Sequence, residues 1–347
     1  MTTVLVARLD SDGDVLLAGP AVRAVAAGAD RVVLLCGPRG RAAAELLPGV
    51  DDVLVWHCPW IDAEPLPVDR SLVERLVDGV RARRVDDALV LTSYHQDPLP
   101  LALLLRLAAV GRIAAICEDY PGSLLDVRHR LPETGLHEVE RMLSLAKAAG
   151  FPPPADDDGA LAVRSSLPDT RELTGDEPYV VVHPGASVPA RAPSPQRAVA
   201  MVDALVAVGR RVLVTGGPGE RQLTARVAGA PRAGRVCDLG GRTDLARLAD
   251  VLSRADAVVV GNTGPAHLAA AVGTPVVSLF APTVPAGRWR PWRVPHVLLG
   301  DGSAACAGSR ARSCPVPGHP CLDGVPVGDV VAAVDAVTGS RLVEVGR

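Results

Sequence analysis

No apolar run in this 347-residue chain approaches the ~20 residues needed to cross a bilayer. The longest candidate, Leu99 to Val110, is interrupted by Arg106. An excess of positive charge is also missing. The net charge is −3 and the pI about 6.2, which argues against bulk electrostatic binding to nucleic acid. Lysine occurs once, at Lys147, so arginine supplies the rest of the basic charge. We read that as a bias of composition without functional content. Seven cysteines are scattered with no C-x-x-C pair, so a strong zinc pattern is lacking. Cys306, Cys314 and Cys321, with His319, share a Gly/Pro-rich loop and leave metal binding open there. Cys36, Cys117 and Cys237 lie in or beside apolar strands and read as small core residues. Charged residues are only 22% against 48% hydrophobic, which excludes extensive disorder. Thr2 to Leu9 reads as a strand and not as a leader, so the cytoplasm is the expected location.

What is present is an α/β pattern long enough for two domains. The first half reads as strands Thr3–Arg8, Arg31–Cys36, Asp52–Trp56, Asp87–Thr92 and Arg112–Cys117. Helices alternate with them, beginning with Val15–Ala27 after a loop Leu9–Asp14. Such alternation predicts a parallel sheet covered on both faces. Phe151–Gly159, rich in proline and aspartate, reads as a linker. The second half repeats the pattern with strands Tyr179–Val182, Arg211–Thr215, Cys237–Leu239 and Ala257–Val260.

The densest signal is Gly261 to Phe280, G-N-T-G-P-A-H-L-A-A-A-V-G-T-P-V-V-S-L-F. An apolar strand runs into a turn of small residues, then a helix opening at Pro265, then a second strand. The helix N-terminus offers unpaired N–H donors and partial positive charge, which suits a phosphate or diphosphate. His267 lies in the first turn, within reach of the same anion. Two further strands end in small-residue turns, at Gly185–Ser187 and Gly216-Gly217. Ligands of open parallel sheets sit beyond the carboxyl ends of strands, so the three turns predict a nucleotide site in the second half.

Taken together, R-L-x-S-x-G-D-V-L-L, H-P-G-A-S, T-G-G-P-x-E and G-N-T-G-P-A-H-L-A-A-A-V-G-T-P-V-V-S-L-F-A-P-T resemble glycosyltransferase family 9, the ADP-heptose-dependent heptosyltransferases and their relatives. The resemblance runs over nearly the whole chain with the motifs in order. It implies a GT-B architecture of two Rossmann-like domains facing a central cleft. Residues 1–158 would bind the acceptor, 159–325 the nucleotide sugar, and 326–347 would form a helix packed back on the first domain. It also implies inverting transfer of a sugar, a heptose by default, from an ADP-sugar to a hydroxyl of a glycan or glycosylated metabolite. Asp14 falls where the family has its catalytic base, a position chemically suited to taking a proton. Asp14 would also serve as the N-cap of Val15–Ala27. Arg191 falls where the family has a basic diphosphate contact, usually Lys. Glu220 matches the acidic residue on the ribose, and Thr243 borders the base. Ser187, Gly216, Gly217, Asn262, Thr263, Gly264 and His267 complete the implied donor site. Asn262 departs from the Asp that many members carry, which leaves the donor sugar open.

The acceptor half is less specific. Ser93–Asp97 and Glu118–Gly122 follow strand ends, which makes His95, Gln96 and Glu118 acceptor candidates. The basic run Arg128, His129 and Arg130 would suit an anionic acceptor, with Arg128 as its candidate contact, or be a solvated face. His137, Glu140 and Arg141 on one helix suggest packing between domains. D-S-D-G-D (Asp10 to Asp14) fails the calcium-loop spacing. No cofactor or metal is required when protein donors take the leaving charge; magnesium is possible but not indicated. No nucleic-acid partner is expected, and peripheral contact with a membrane-borne acceptor is open, as is a lipopolysaccharide core or another cell-surface glycan. Two rivals stand beside this reading: a sugar-nucleotide epimerase or hydrolase, and a non-catalytic nucleotide-binding protein.

Overall fold

The computed structural model describes residues 1–131, 135–229 and 234–344. The chain divides into two compact units, Met1–Arg164 and Ser165–Arg347.

The first unit holds one parallel sheet. Its strands are β1 (Thr3–Arg8), β2 (Arg31–Cys36), β3 (Asp52–Val55), β4 (Asp87–Val90), β5 (Arg112–Ile116) and β6 (Val127–His129), in spatial order β3-β2-β1-β4-β5-β6. The central strands are continuous apolar runs because both faces are covered; all six residues of β1 are buried. The second unit repeats the plan. It has β7 (Val180–His183), β8 (Val212–Val214), β9 (Val236–Asp238), β10 (Ala257–Gly261), β11 (Val276–Leu279) and β12 (His296–Leu299), in order β12-β11-β10-β7-β8-β9, all parallel.

Strand ends agree with the sequence reading to within two residues. β6 and β12 are additional edge strands, too short and too polar to stand out from the sequence. The single helix expected over Val15–Ala27 is two, Asp12–Leu17 and Gly19–Ala26. Pro20 has no N–H to continue the first helix, so a new one starts there. Phe151–Gly159 has no regular structure, as expected, but it is not a free linker. Phe151 is buried, and Arg23 binds Asp157 at 2.7 and 2.8 Å and the Ala160 carbonyl at 2.8 Å. Arg164 donates to the Leu46 carbonyl through its N–H. Those bonds hold 157–164 in the first unit and move the division past residue 158.

The last helix, Val327–Glu344, packs against β10, β11, β12 and helix Pro195–Ala207. Val330, Val334 and Val337 sit in the second unit's core. The apolar face of this helix completes the second sheet's cover. Among the described residues no helix is long and apolar enough to cross a membrane.

Asp250, on helix Leu245–Ser253, ties down the start of the second unit. Its Oδ2 accepts from the Thr170 N–H at 2.9 Å, the Thr170 hydroxyl at 2.7 Å and Arg254 Nε at 3.0 Å. Burial works to raise the Asp250 carboxyl, but these donors outweigh it and hold its pKa below the ordinary carboxylate value. A depressed folded pKa stabilises fully above the unfolded value of about 3.9, and the stabilisation is lost as pH falls through the folded value. The urea midpoint of the parent is therefore expected to fall more steeply below about pH 4 than that of Asp250→Asn. Parallel curves for the two proteins would refute the linkage.

Candidate functional site

In each sheet the chain reverses its direction of travel between two central strands. β1 leads toward β2 and β4 toward β5, so the first switch point lies between the ends of β1 and β4. In the second sheet it lies between β7 and β10. Crevices at such points are where open α/β sheets bind ligands.

At the first switch point stands Arg8, the last residue of β1, with a wholly buried side chain. Its Nε lies 3.1 Å from Asp10 Oδ2 and its Nη2 lies 3.0 Å from Asp14 Oδ1. Nη2 also donates to Ser93 Oγ at 2.7 Å, and Nη1 lies 3.9 Å from Glu138 Oε2. Glu138 in turn lies 3.3 Å from Arg141 Nη1, which donates to the Thr92 carbonyl at 2.8 Å. Three carboxylates thus surround two guanidinium groups in the interior. Burial alone would lower the Arg8 pKa, but Asp10, Asp14 and Glu138 outweigh it and hold it above its ordinary value.

The three acids of D-S-D-G-D have separate tasks. Asp10 faces Arg8 and accepts from Gln96 Nε2 at 2.6 Å. Burial pushes its carboxyl up, against the pull of Arg8. Asp12 accepts from the Ala43 N–H at 3.0 Å, and burial pushes its pKa up. Asp14 is not the N-cap. Ser11 is, and Asp14 lies at the third helical position. Its Oδ2 accepts from the Ser11 hydroxyl at 2.9 Å and the Ser11 N–H at 3.4 Å. With its side chain 23% exposed, Asp14 keeps access to solvent.

The other acceptor candidates divide. Gln96 belongs to this network: besides Asp10, its Oε1 takes the Ser93 N–H at 2.9 Å. His95 is exposed beside the Tyr94 ring, 5.2 Å between centroids. Glu118 is exposed after β5. Arg128 does not reach outward for an anion. Its Nε donates to the Cys117 carbonyl at 3.0 Å and its Nη2 to the Glu118 carbonyl, so it staples the end of β5. His129 is on β6 with Nε2 3.1 Å from Ser144 Oγ. His137 caps helix Glu138–Ala148, its Nδ1 accepting from the Val139 N–H at 3.2 Å. Arg141 serves the buried network of its own unit. Arg8 and Glu138 were missed in the sequence. An arginine ending an otherwise apolar central strand was the available signal.

At the second switch point the turns converge on Glu220. Its Oε2 accepts from the Gly217 N–H at 2.7 Å and lies 3.8 Å from His183 Nε2. A Cβ on Gly185 would collide with Glu220 Oε1. His183 is buried, its Nδ1 2.9 Å from Thr215 Oγ1, and burial lowers its pKa against the pull of Glu220. Gly241 N–H reaches the Gly216 carbonyl at 2.8 Å, which brings the end of β9, and Thr243 after it, to the same edge. A Cβ on Gly261 would meet the Arg191 carbonyl oxygen, so the loop from Ser187 to Arg191 is seated on the end of β10. At Gly261 the obstacle is backbone, so only glycine permits the approach, whereas at Gly185 the Glu220 side chain would have to shift.

Thr263 caps helix Gly264–Ala271, and its N–H is taken by the Gly261 carbonyl at 2.9 Å. Gly264 is half-buried at the helix start, and His267 is buried within its first turn. Asn262 is buried and bridges strands. Its Nδ2 donates to the Ala281 carbonyl at 3.3 Å and its Oδ1 accepts from the Ala281 N–H at 3.1 Å. This double role needs a donor and an acceptor on one side chain, which an ionised Asp lacks.

Cys306 and Cys321 are buried, and Cys314 is half-buried with its thiol on the Val316 carbonyl at 3.3 Å. Burial, with Cys306 and Cys314 nearby, pushes the Cys321 thiol up to about 11. Among the described residues no group of three His, Cys, Asp or Glu is arranged to hold a metal. Cys36 and Cys117 are buried and Cys237 half-buried.

Comparison with known proteins gives a consistent picture. The profile of glycosyltransferase family 9 (heptosyltransferase) matches residues 73–318. A lipopolysaccharide heptosyltransferase 3 of Escherichia coli is 30% identical over 164 residues, 47% of this chain and 47% of that protein. The chain thus spans about half the length of the curated relatives it matches. The glycosyl transferase family 9 protein of Veillonella parvula DSM 2008 superposes with a TM-score of 0.78 at 15% identity, covering 98% of both chains. The E. coli ADP-heptose lps heptosyltransferase II superposes with a TM-score of 0.73 at 18% identity, covering 98% of this chain and 99% of that one.

Removing Arg8 would take the buried guanidinium away from Asp10 and Asp14 and leave Glu138 to Arg141. Arg8→Met is expected to destabilise the fold by about 3–5 kcal/mol in urea unfolding. Arg8→Lys should recover only part, since a point charge cannot serve every partner of the guanidinium. A parent-like Arg8→Met midpoint would contradict the geometry.

Proposed function

The chain belongs to glycosyltransferase family 9, the heptosyltransferases, and on that premise we propose that it moves a sugar from an ADP-sugar to a hydroxyl of a carbohydrate acceptor. Heptose is the first candidate for the sugar, because the donor is named in the E. coli heptosyltransferase II of the same fold. The observation that carries the reading is Asp14, a partly exposed carboxylate fixed by buried Arg8 at a switch point.

In the proposed reaction Asp14 accepts the proton of the acceptor hydroxyl as its oxygen attacks the anomeric carbon. The bond from that carbon to the diphosphate oxygen breaks, ADP leaves, and the anomeric centre inverts. The acceptor unit is Met1–Arg164 and the donor unit Ser165–Arg347. In the donor unit Glu220 is assigned to the ribose and Thr243 to the edge of the base. Arg191, Gly264 at its helix start and His267 are assigned to the leaving diphosphate. Ser187, Gly216 and Gly217 shape the turns around it. The Thr263 N–H is already engaged by Gly261, so the donor role falls on its neighbours. Asn262 is assigned to holding the site's frame, since Ala281 occupies its amide. No step is assigned to a metal, and activity is expected to persist in EDTA. Seven cysteines, all free, suit a reducing compartment, so we place the reaction in the cytoplasm. A membrane-borne acceptor would be met peripherally.

Two measurements check this. Asp14→Asn should leave ADP affinity nearly intact and lower turnover about 10²–10⁴-fold. Turnover within a few-fold of the parent would assign the base elsewhere. In thermal shift, ADP at about 100 times its dissociation constant should add roughly 2.7 kcal/mol of stability. UDP and GDP should add less, and Arg191→Ala should weaken ADP by about 1.5–3 kcal/mol in calorimetry. A larger shift with UDP would overturn the adenine assignment. Release of free sugar without any acceptor would favour a hydrolase.

A further inference from the structure

Aromatic residues are scarce, nine in all: four Trp, three Tyr and two Phe. Six of them are buried or half-buried. The exposed three are Trp60 (38%), Tyr94 (37%) and Tyr120 (86%). They follow β3, β4 and β5 respectively. Because these strands are parallel, all three loops leave the same edge of the sheet, the edge that carries Asp14. Trp60 folds over the switch point, lining a small hollow with Leu9, Leu91, Thr92 and Asp97. The Tyr94 loop is bonded to the base's own network through Ser93 and Gln96.

The charge of these loops has one sign. Residues 56–68, 91–98 and 117–124 contain Asp62, Glu64, Asp97, Glu118 and Asp119 and no lysine or arginine. The nearby cations are fewer: Arg39 lies 3.7 Å from Asp62, Arg128 is turned to the carbonyls of 117 and 118, and Arg130 is exposed after β6. Glu64, Asp97, Glu118 and Asp119 are exposed. An anionic ligand on this edge would meet like charge, whereas an uncharged or ammonium-bearing one would not.

Resting on the glycosyltransferase reading above, we infer that the acceptor is a non-anionic glycan, neutral or amino-substituted, whose sugar rings stack on Trp60, Tyr94 and Tyr120 beside Asp14. The C–H face of a pyranose is apolar and matches an aromatic face in size. An ammonium group near the same rings gains cation–π attraction and the field of the carboxylates. Hydroxyl-to-carboxylate hydrogen bonds from Glu64, Asp97 and Glu118 would orient the sugar. The anionic acceptor suggested by the basic run at 128–130 is thereby replaced.

The test uses the full-length chain and three trisaccharides of equal length: chitotriose, its fully deacetylated amine form, and trigalacturonate. Affinity is read by tryptophan fluorescence and calorimetry. The neutral and amine trimers should bind, and trigalacturonate should bind at least about tenfold more weakly. Trp60→Ala and Tyr120→Ala should each weaken the two bound trimers about 3–10-fold. ADP affinity of these variants should stay unchanged, which also shows that they fold. Trigalacturonate binding as tightly as the others would overturn the inference. So would parent-like trimer affinity in both variants, or failure of the neutral and amine trimers to bind. Loss of ADP binding by the parent would be a failure of the glycosyltransferase reading instead, and is scored separately.

Discussion

The buried guanidinium of Arg8 is the contact on which the first unit's candidate site depends. It ends the central strand of the first sheet and meets Asp10, Asp14 and Glu138 at once. An unpaired charge in that position would be very costly, so each partner requires the others. The consequence is positional. Asp10 ties in the loop after β4 through Gln96, Glu138 ties in helix Glu138–Ala148, and Asp14 is held by one oxygen to Arg8 and by the other to Ser11. A proposed base so restrained loses little freedom when it acts.

The second unit uses a different device. There the constraint is steric. Gly185 makes room for Glu220, and Gly261 makes room for the Arg191 backbone. Three loops far apart in sequence can then close on one edge, and a single carboxylate, Glu220, links the turns after β7 and β8. Asn262 extends this frame to the loop after β11 by serving both polar groups of Ala281. Its amide supplies both the donor and the acceptor that this bridge uses.

In the first unit, exposed aromatic and acidic groups collect on the loops that leave one edge of the sheet. Arg128, the basic residue that pointed to an anionic acceptor, is bound to backbone carbonyls, while the exposed rings and carboxylates lie on the loops of the same edge. Those loops also seat Trp56, Cys58 and Cys117 in the core, so it is their exposed positions that can differ while the strands beneath them stay the same.

Alternating apolar strands and helices were enough to determine two parallel α/β halves from the sequence, since a strand buried on both faces reads as an unbroken apolar run. The small-residue turns after β7, β8 and β10 were legible for a related reason: glycine is placed by local geometry, and local geometry is written locally. The break between helices Asp12–Leu17 and Gly19–Ala26 is legible too, in Pro20. Other features lay outside any local pattern. Edge strands β6 and β12 exist only because a neighbour pairs with them. The final helix belongs to the second unit because its valines complete that core. Arg8 is a counter-ion rather than a surface charge only because residues 10, 14, 93 and 138 are folded around it. Residue type and spacing determine which groups are available and where the chain turns. Only tertiary structure decides which charges meet in the interior, because pairing and desolvation depend on distances between segments that are remote along the chain.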